Sequence, residues 1–225
     1  MENWTLRNIK SIIASILLLA FISTDVSYVG ASQAAGRDTP TIEVRDQVRN
    51  PIVARVLDGD TFVLADGRHL RLIGVDTPEK GEPLADIARE FADSVLTGKP
   101  VKIENDKLQV DRYDRILGYV FIDTVFFNEL LIRRGLAHVY LFRENRRYSK
   151  RLIEAQKEAR RQMTGIWSLP KPVDEPYYVS AGGSYRFHRP LCTLIKNMNP
   201  RKAKKYEDRD SALDEGLSPC RECRP

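Results

Sequence analysis

Three short β-rich runs joined by two Asp-Gly turns constrain the fold of this 225-residue chain more than any other feature. The runs are IVARVL from Ile52, TFVLA from Thr61 and HLRLIGV from His69, with Asp58-Gly59-Asp60 and Asp66-Gly67-Arg68 between them. Asp-Gly supplies the positive φ of a tight antiparallel turn, so three consecutive strands are expected. A helix pattern follows. Leu84, Ile87, Ala88, Phe91 and Val95 recur at helical spacing, and Gly98-Lys99-Pro100 stops it. VKIEN (101–105) and ILGYVFI (116–122) read as two more strands, FNELLIRRG (127–135) as a short helix and LAHVYL (136–141) as an extended piece. The spacing predicts the longest helix over 145–166, with Tyr148, Leu152, Ala155, Ala159 and Met163 on one stripe. Three strands, a helix and two strands form the pattern of a five-stranded OB-fold barrel in a mainly β, α+β class. Such barrels commonly bind oligonucleotides.

At 42% hydrophobic and 30% charged residues the chain is excluded from the disordered class. Its length allows a medium domain plus a small one. The expected division is a barrel domain at 47–169, a proline-rich linker at 170–176 (PKPVDEP) and a small unit at 177–225. A net charge of +5 favours a polyanionic partner. Between 143 and 161, eight Arg or Lys face three Glu, on a helix read as a solvated outer face or as a surface that steers nucleic acid. Arg7 and Lys10 precede an apolar run from Ile12 to Ile22, and small residues follow near Ala31 and Ala34. This reads as an export signal and lead-in over 1–34, giving a secreted protein. The alternative is a protein tethered to a membrane by the uncleaved segment. The run is shorter than the roughly 20 residues of a span.

The acidic residues at the strand ends carry the chemistry. Asp58 and Asp60 are two apart and share a face of an extended chain. Asp76 ends the third run, which Pro78 stops. Adjacent strands bring Asp60 and Asp76 near each other, and two bare carboxylates repel. A hard divalent cation relieves that repulsion, and oxygen ligands suit calcium or magnesium. Arg71 and Arg115 offer planar forks suited to phosphate. A metal, a proton-accepting carboxylate and two arginines together compose a phosphodiester-cleaving site. Taken singly, Asp58-Gly59-Asp60 also reads as a turn, Arg71 as an edge-strand residue and Asp76-Thr77-Pro78-Glu79 as a helix cap.

DGDTFVL, RLIGVDTPE, DRYDRILGYVF and NELLIRRGLAHV, in this order, resemble the staphylococcal nuclease (thermonuclease) family over roughly residues 50–168. The resemblance implies that Asp60 and Asp76, with the Thr77 carbonyl, bind calcium. It implies that Arg71 and Arg115 hold the scissile phosphate, that Glu79 orients or deprotonates the attacking water, and that Tyr113 lies beside a nucleotide phosphate. Asp58 becomes an acidic neighbour of the metal. The implied activity is calcium-dependent, nonspecific cleavage of DNA and RNA by in-line water attack, leaving 3′-phosphate ends. No protein partner is implied, and a monomer is expected. One departure stands out: Asp114 occupies a position where the family usually has glycine, which suggests a backbone at positive φ.

The small unit brings His188-x3-Cys192 and Cys220-x2-Cys223, which use all three cysteines of the chain. Two short-spaced pairs fit a closed tetrahedral zinc site of structural type, and a unit this small needs such a staple. It resembles the zinc domain of the Ada DNA-repair protein, whose relatives often carry four cysteines. The alternative is a Cys220–Cys223 disulfide with Cys192 free. YYVSAGGSYRFH reads as a hairpin turning at Gly182-Gly183, and Asp208 as the cap of a helix that Gly216 ends. His69 and His138 read as ordinary strand residues. The competing function is a non-catalytic nucleic-acid-binding protein with the zinc module as its main binding element. The presence of Asp60, Asp76, Glu79, Arg71 and Arg115 together weighs against it.

Overall fold

A computed structural model describes residues 50–225. The expected export signal and lead-in lie outside the described residues. Strands β1 (Val53–Asp58), β2 (Thr61–Leu64) and β3 (His69–Leu72) form the antiparallel meander, with Gly67 at φ +86° in its second turn. A short β4 (Gly74–Asp76) and helix α1 (Ala85–Leu96) come next, then β5 (Lys102–Glu104), β6 (Ile116–Ile122) and β7 (Val125–Phe126). β3 pairs in parallel with β6, which pairs antiparallel with β5 and β7. A bridge between Ile52 and Pro100 returns the β5 end to β1. The order β1-β2-β3-β6-β5, closed by that bridge, is the expected OB barrel. Phe62, Leu70, Tyr119, Val120, Phe127 and Leu131 fill its core.

The third run is not one strand, contrary to the sequence expectation. It breaks at Ile73 because Gly74 takes φ +76°, and a Cβ there would lie 2.6 Å from Leu152 Cδ1. Beyond the break β4 leaves the barrel and pairs antiparallel with β8 (His138–Tyr140), with Asp76 opposite His138. The buried amide of Asn128 staples the break, donating to the Ile73 carbonyl (2.9 Å) and accepting from the Val120 N–H (2.9 Å).

Helix α2 (Phe127–Arg133) matches expectation, and two helix readings need correction. The long helix α3 spans Ser149–Arg161 rather than 145–166. Asn145 is taken by a loop tie, bonding both the N–H and the carbonyl of Leu108 at 2.9 Å, and Met163 turns to φ +52°. The buried face of α1 runs through Ala85, Ala88, Ala92 and Leu96, and Ile87 is 49% exposed. Small alanines let the helix lie close on β1, so Ile87, Phe91 and Val95 fall to the border of the contact while Leu96 stays buried.

Residues 177–225 contribute β9 (Tyr178–Ser180), β10 (Arg186–Phe187), β11 (Lys204–Tyr206), helix α4 (Arg209–Asp214) and β12 (Ser218–Pro219). Val179 and His188 exchange two backbone hydrogen bonds around the Gly182-Gly183 turn, but the strand ladder of β9 is with β11, and β10 pairs in parallel with β12. Asp208 caps α4 by accepting the Ser211 N–H, and Gly216 follows it at φ +81°. This unit is packed on the barrel domain. Ala159 of α3 and Trp167 share a core with Tyr178, Phe187, Tyr206 and Leu213. Gln156 donates to the Leu213 carbonyl, and the Leu141 N–H to that of Gly216. Among the described residues no helix is long and apolar enough to cross a membrane.

Candidate active site and metal centre

The β2–β3 register sets Thr61 against Arg71, and the Leu72 N–H donates to the Asp60 carbonyl at 3.0 Å. The Asp60 side chain thereby reaches the end of β4. Its Oδ2 accepts the Thr77 N–H (3.0 Å) and the Thr77 hydroxyl (3.1 Å), and pairs with Arg71 Nη2 at 3.0 Å. Arg71 Nη1 is fixed on the Leu72 carbonyl (2.7 Å). Asp60, Asp76 and Thr77 are all buried. Gly59 allows the close approach, since a Cβ there would lie 2.7 Å from Thr77 Cγ2. Burial and the Asp60 charge raise the Asp58 carboxyl above its ordinary range, opposed by the Gly59 N–H, Arg71 and Arg221.

Asp76 has partners that no sequence pattern revealed. Arg186 grips it with both arms, Nη1 to Oδ2 at 2.9 Å and Nη2 to Oδ1 at 3.1 Å. The Ser218 hydroxyl donates to Oδ2, and Arg221 Nη2 to Oδ1 at 2.5 Å. Burial alone would raise this carboxyl. Arg186, Arg221 and Ser218 outweigh it and hold the group below its ordinary range. Arg221 Nη1 pairs with Glu79, so one guanidinium spans Asp76 and Glu79. Arg186, Ser218 and Arg221 lie 110 to 145 residues beyond Asp76.

Arg115 and Tyr113 form a neighbouring group. Arg115 Nε and Nη2 take Asp111 Oδ2 at 2.8 and 2.6 Å. The Tyr113 ring, 64% exposed, lies under the guanidiniums of Arg112 and Arg115 at 4.8 and 5.4 Å. Among the described residues no hydrogen bond or ion pair joins this group to Asp60 or Asp76. An exposed aromatic face flanked by arginine guanidiniums is chemistry suited to stacking and to anion binding. Asp114 has φ +61°, the positive value expected where the family usually has glycine.

Asp60, Asp76 and the Thr77 carbonyl, with Asp58 near, are hard oxygen donors of the kind calcium takes. Among the described residues Asp60 Oδ1 is engaged only by the adjacent Thr61 hydroxyl, at 3.1 Å. Asp76 accepts four hydrogen bonds, one on Oδ1 from the partly exposed Arg221. Oδ1 also accepts from Arg186 Nη2, so withdrawal of Arg221 opens one acceptor position there, and with Asp60 Oδ1 and the Thr77 carbonyl the donor set fits a hard cation. In the small unit, ligand atoms of His188, Cys192, Cys220 and Cys223 lie within 4.8 Å of one another. All three cysteines are free, and His188 Nδ1 is buried without a partner among the described residues. Burial, with Cys192 and Cys220 beside it, pushes the Cys223 thiol up to about 12, against an opposing hydrogen bond from the Arg189 N–H. Crowded sulfurs and an orphaned imidazole nitrogen fit a thiophilic cation.

The family model described as "Staphylococcal nuclease homologue" matches residues 69–169, a span that holds Arg71, Asp76, Thr77, Glu79, Tyr113 and Arg115. The chain is 42% identical over 125 residues to a thermonuclease of Staphylococcus hyicus, covering 52% of this chain and 74% of that protein. It is 34% identical over 169 residues to a thermonuclease of Staphylococcus intermedius, covering 70% and 98%. With an uncharacterized endonuclease of Escherichia coli the identity is 38% over 125 residues, covering 54% and 78%. With the barrel, the Asp60–Thr77–Arg71 cluster and these relatives in agreement, the chain belongs to the staphylococcal nuclease family.

Proposed function

We propose that this chain is an exported, calcium-dependent endonuclease that cuts DNA and RNA without sequence preference and leaves 3′-phosphate ends. Its family and relatives make it a nuclease that hydrolyses phosphodiester bonds. The observation that carries the finer reading is the buried cluster in which Asp60 holds Thr77 and Arg71 beside Asp76. Asp60, Asp76 and the Thr77 carbonyl are the groups that would hold calcium, which when bound supplies charge stabilisation to the phosphoryl oxygens.

The chain's own residues account for the rest. Arg71 is pinned by Asp60 and the Leu72 carbonyl, so its guanidinium meets a phosphate with little further loss of freedom. Glu79, 46% exposed, takes a proton from the attacking water. The water oxygen bonds to phosphorus as the P–O5′ bond breaks on the opposite side, and the 5′-oxygen leaves and takes a proton from solvent water, while Glu79 later releases its proton to solvent. Arg71 and Arg115 offset charge spreading over the phosphate oxygens. Tyr113 offers a flat face to any base, which suits a site that reads backbone and unstacked bases.

Zinc on His188, Cys192, Cys220 and Cys223 belongs to the same proposal, as a structural ion. Export rests on Arg7, Lys10 and the apolar run from Ile12 to Ile22. The test incubates purified protein with single-stranded DNA, with calcium added or omitted. Cleavage is expected only with calcium, and Glu79→Gln and Arg115→Ala are each expected to lose at least about a hundredfold, roughly 3 kcal/mol. Full activity without calcium, or an unaffected Arg115→Ala, would overturn the reading.

A further inference from the structure

We propose that Arg221, supplied by the C-terminal unit, is a substrate-phosphate ligand of the nuclease site. The inference deepens the endonuclease reading and rests on it.

Two arginines of the C-terminal unit reach Asp76, and they differ in kind. Arg186 is fixed. Both arms grip Asp76, Nη1 also donates to the Pro219 carbonyl (2.7 Å), the guanidinium lies 4.6 Å over the Tyr140 ring, and the side chain is 19% exposed. With the Ser218 hydroxyl it already satisfies Asp76. Arg221 is therefore surplus to the charge of Asp76. Its side chain is 39% exposed, and its other arm rests on the exposed carboxylate of Glu79. The Glu79 arm is a solvent-exposed pair and weakly held, and Arg186 keeps the buried Asp76 carboxylate paired when Arg221 leaves.

Its position shows where it would go. Arg221 lines a cleft of about 290 Å³ that Asp76, Thr77, Arg186 and Arg224 also line, with the 166–172 stretch contributing apolar side chains. A phosphate entering there meets a planar fork able to donate two parallel hydrogen bonds, the geometry that makes arginine bind phosphate strongly. Transfer of Arg221 from carboxylates to phosphate does two more things. It frees Glu79 to accept a proton, and it leaves Asp76 Oδ1 with Arg186 Nη2 as its remaining donor, opening one acceptor position on that oxygen. Arg115 is occupied by Asp111, so Arg221 is the guanidinium that already touches the carboxylates at which water is activated. Cys220 and Cys223 flank it in a tight turn closed by the Arg224 N–H on the Cys220 carbonyl at 3.0 Å.

The test compares wild type with Arg221→Ala, Arg221→Lys and Arg201→Ala, all zinc-loaded. Arg201 is an exposed arginine of the same unit, remote from the carboxylates in its contacts. Two quantities are read: kcat/KM with calcium, and the salt dependence of affinity for a short single-stranded DNA in calcium-free buffer. Arg221→Ala is expected to lower kcat/KM about ten- to a hundredfold, and to reduce the slope of log K against log salt by about 0.7, one phosphate contact on a single strand. Arg221→Lys restores part of both, and Arg201→Ala changes neither. One zinc per chain and an unchanged melting temperature in Arg221→Ala exclude misfolding as the cause. An Arg221→Ala variant that is more active marks Arg221 as an inhibitory latch and overturns the proposal. So does an unchanged slope, or an equal loss in Arg201→Ala. Absence of cleavage by wild type overturns the nuclease reading instead, and the affinity slope then still reports on Arg221.

Discussion

Asp60 Oδ2 and the Thr77 backbone nitrogen lie 3.0 Å apart across seventeen residues of chain, and the Thr77 hydroxyl adds a second bond to the same oxygen at 3.1 Å. This contact carries the end of β4 to the end of β1. It orders the segment from Asp76 to Glu79, and it leaves the other Asp60 oxygen nearly free.

The consequence is separable by mutation. Thr77→Val removes one hydroxyl bond but keeps the backbone N–H, so a loss of about 0.5–1.5 kcal/mol is expected, with cleavage retained. Asp60→Ala strands both the Thr77 N–H and the Arg71 guanidinium in a buried place, so about 3–5 kcal/mol and all cleavage should be lost. Urea denaturation and a cleavage assay on both variants check this. Equal stability of the two would show that Asp60 does not organise the turn.

Stability should fall in acid in two stages. Burial first, and then the charge of Arg209, pushes His138 down to about 3. The unfolded state therefore takes up this proton first, near pH 6.5. The stabilisation is complete above that pH and drains away as pH falls toward 3. Asp76 adds a second loss. Its folded carboxyl lies below the ordinary 3.8, so its contribution is full above about pH 4 and is lost as pH falls through the lower folded value. His138→Phe should flatten the limb between pH 6.5 and 4 in urea titrations, leaving the steeper loss below pH 4. An unaltered limb in that variant would place its origin elsewhere.

The barrel was legible because its signals are local. Gly67 in the Asp-Gly turn and the stop after β4 each depend on residues a few positions apart, as does the α4 cap at Asp208 in the C-terminal unit. The gathering of Asp60, Thr77 and Arg71 beside Asp76 was legible from residue type, strand alternation and family motif together. The break at Ile73 was not, because HLRLIGV reads as one strand unless the pairing of β4 with β8 is known. The clamp on Asp76 was hidden for a stronger reason. Arg186, Ser218 and Arg221 act across more than 100 residues, and an arginine in a short strand or between two cysteines has no periodicity that names its partner. Arg115 shows the converse. Its phosphate role was expected from motif, while its present partner, Asp111, sits four residues away in the same loop.

The cysteine cluster makes a compositional prediction. Metal analysis of protein purified without chelator should give one zinc per chain, and Cys192→Ser should lose it. Since Cys220 and Cys223 hold the turn that presents Arg221, zinc loss should also lower cleavage toward the level of Arg221→Ala. Calcium added to the zinc-free protein should not restore it. A zinc-free protein with native activity would separate the cluster from the nuclease site.

Asp114 provides a test in the backbone alone. It sits at φ +61° at the end of the turn that the Asp114 N–H closes on the Asp111 carbonyl at 3.1 Å. A left-handed conformation costs an L-residue about 1–2 kcal/mol, less for aspartate, whose short side chain tolerates it. Glycine removes that cost but adds about 0.5–1 kcal/mol of unfolded-chain entropy. Asp114→Gly should therefore be equal to wild type or about 0.5 kcal/mol more stable, and Asp114→Ala about 1 kcal/mol less stable. The glycine variant also removes a negative charge next in sequence to Arg115, so its affinity for single-stranded DNA should rise at low salt, with the difference fading as salt screens it. Urea midpoints for the three proteins give the first ordering, and binding at two ionic strengths gives the second. An alanine variant as stable as the glycine one would show that the turn relaxes out of the left-handed region, and that Asp114 stores no strain.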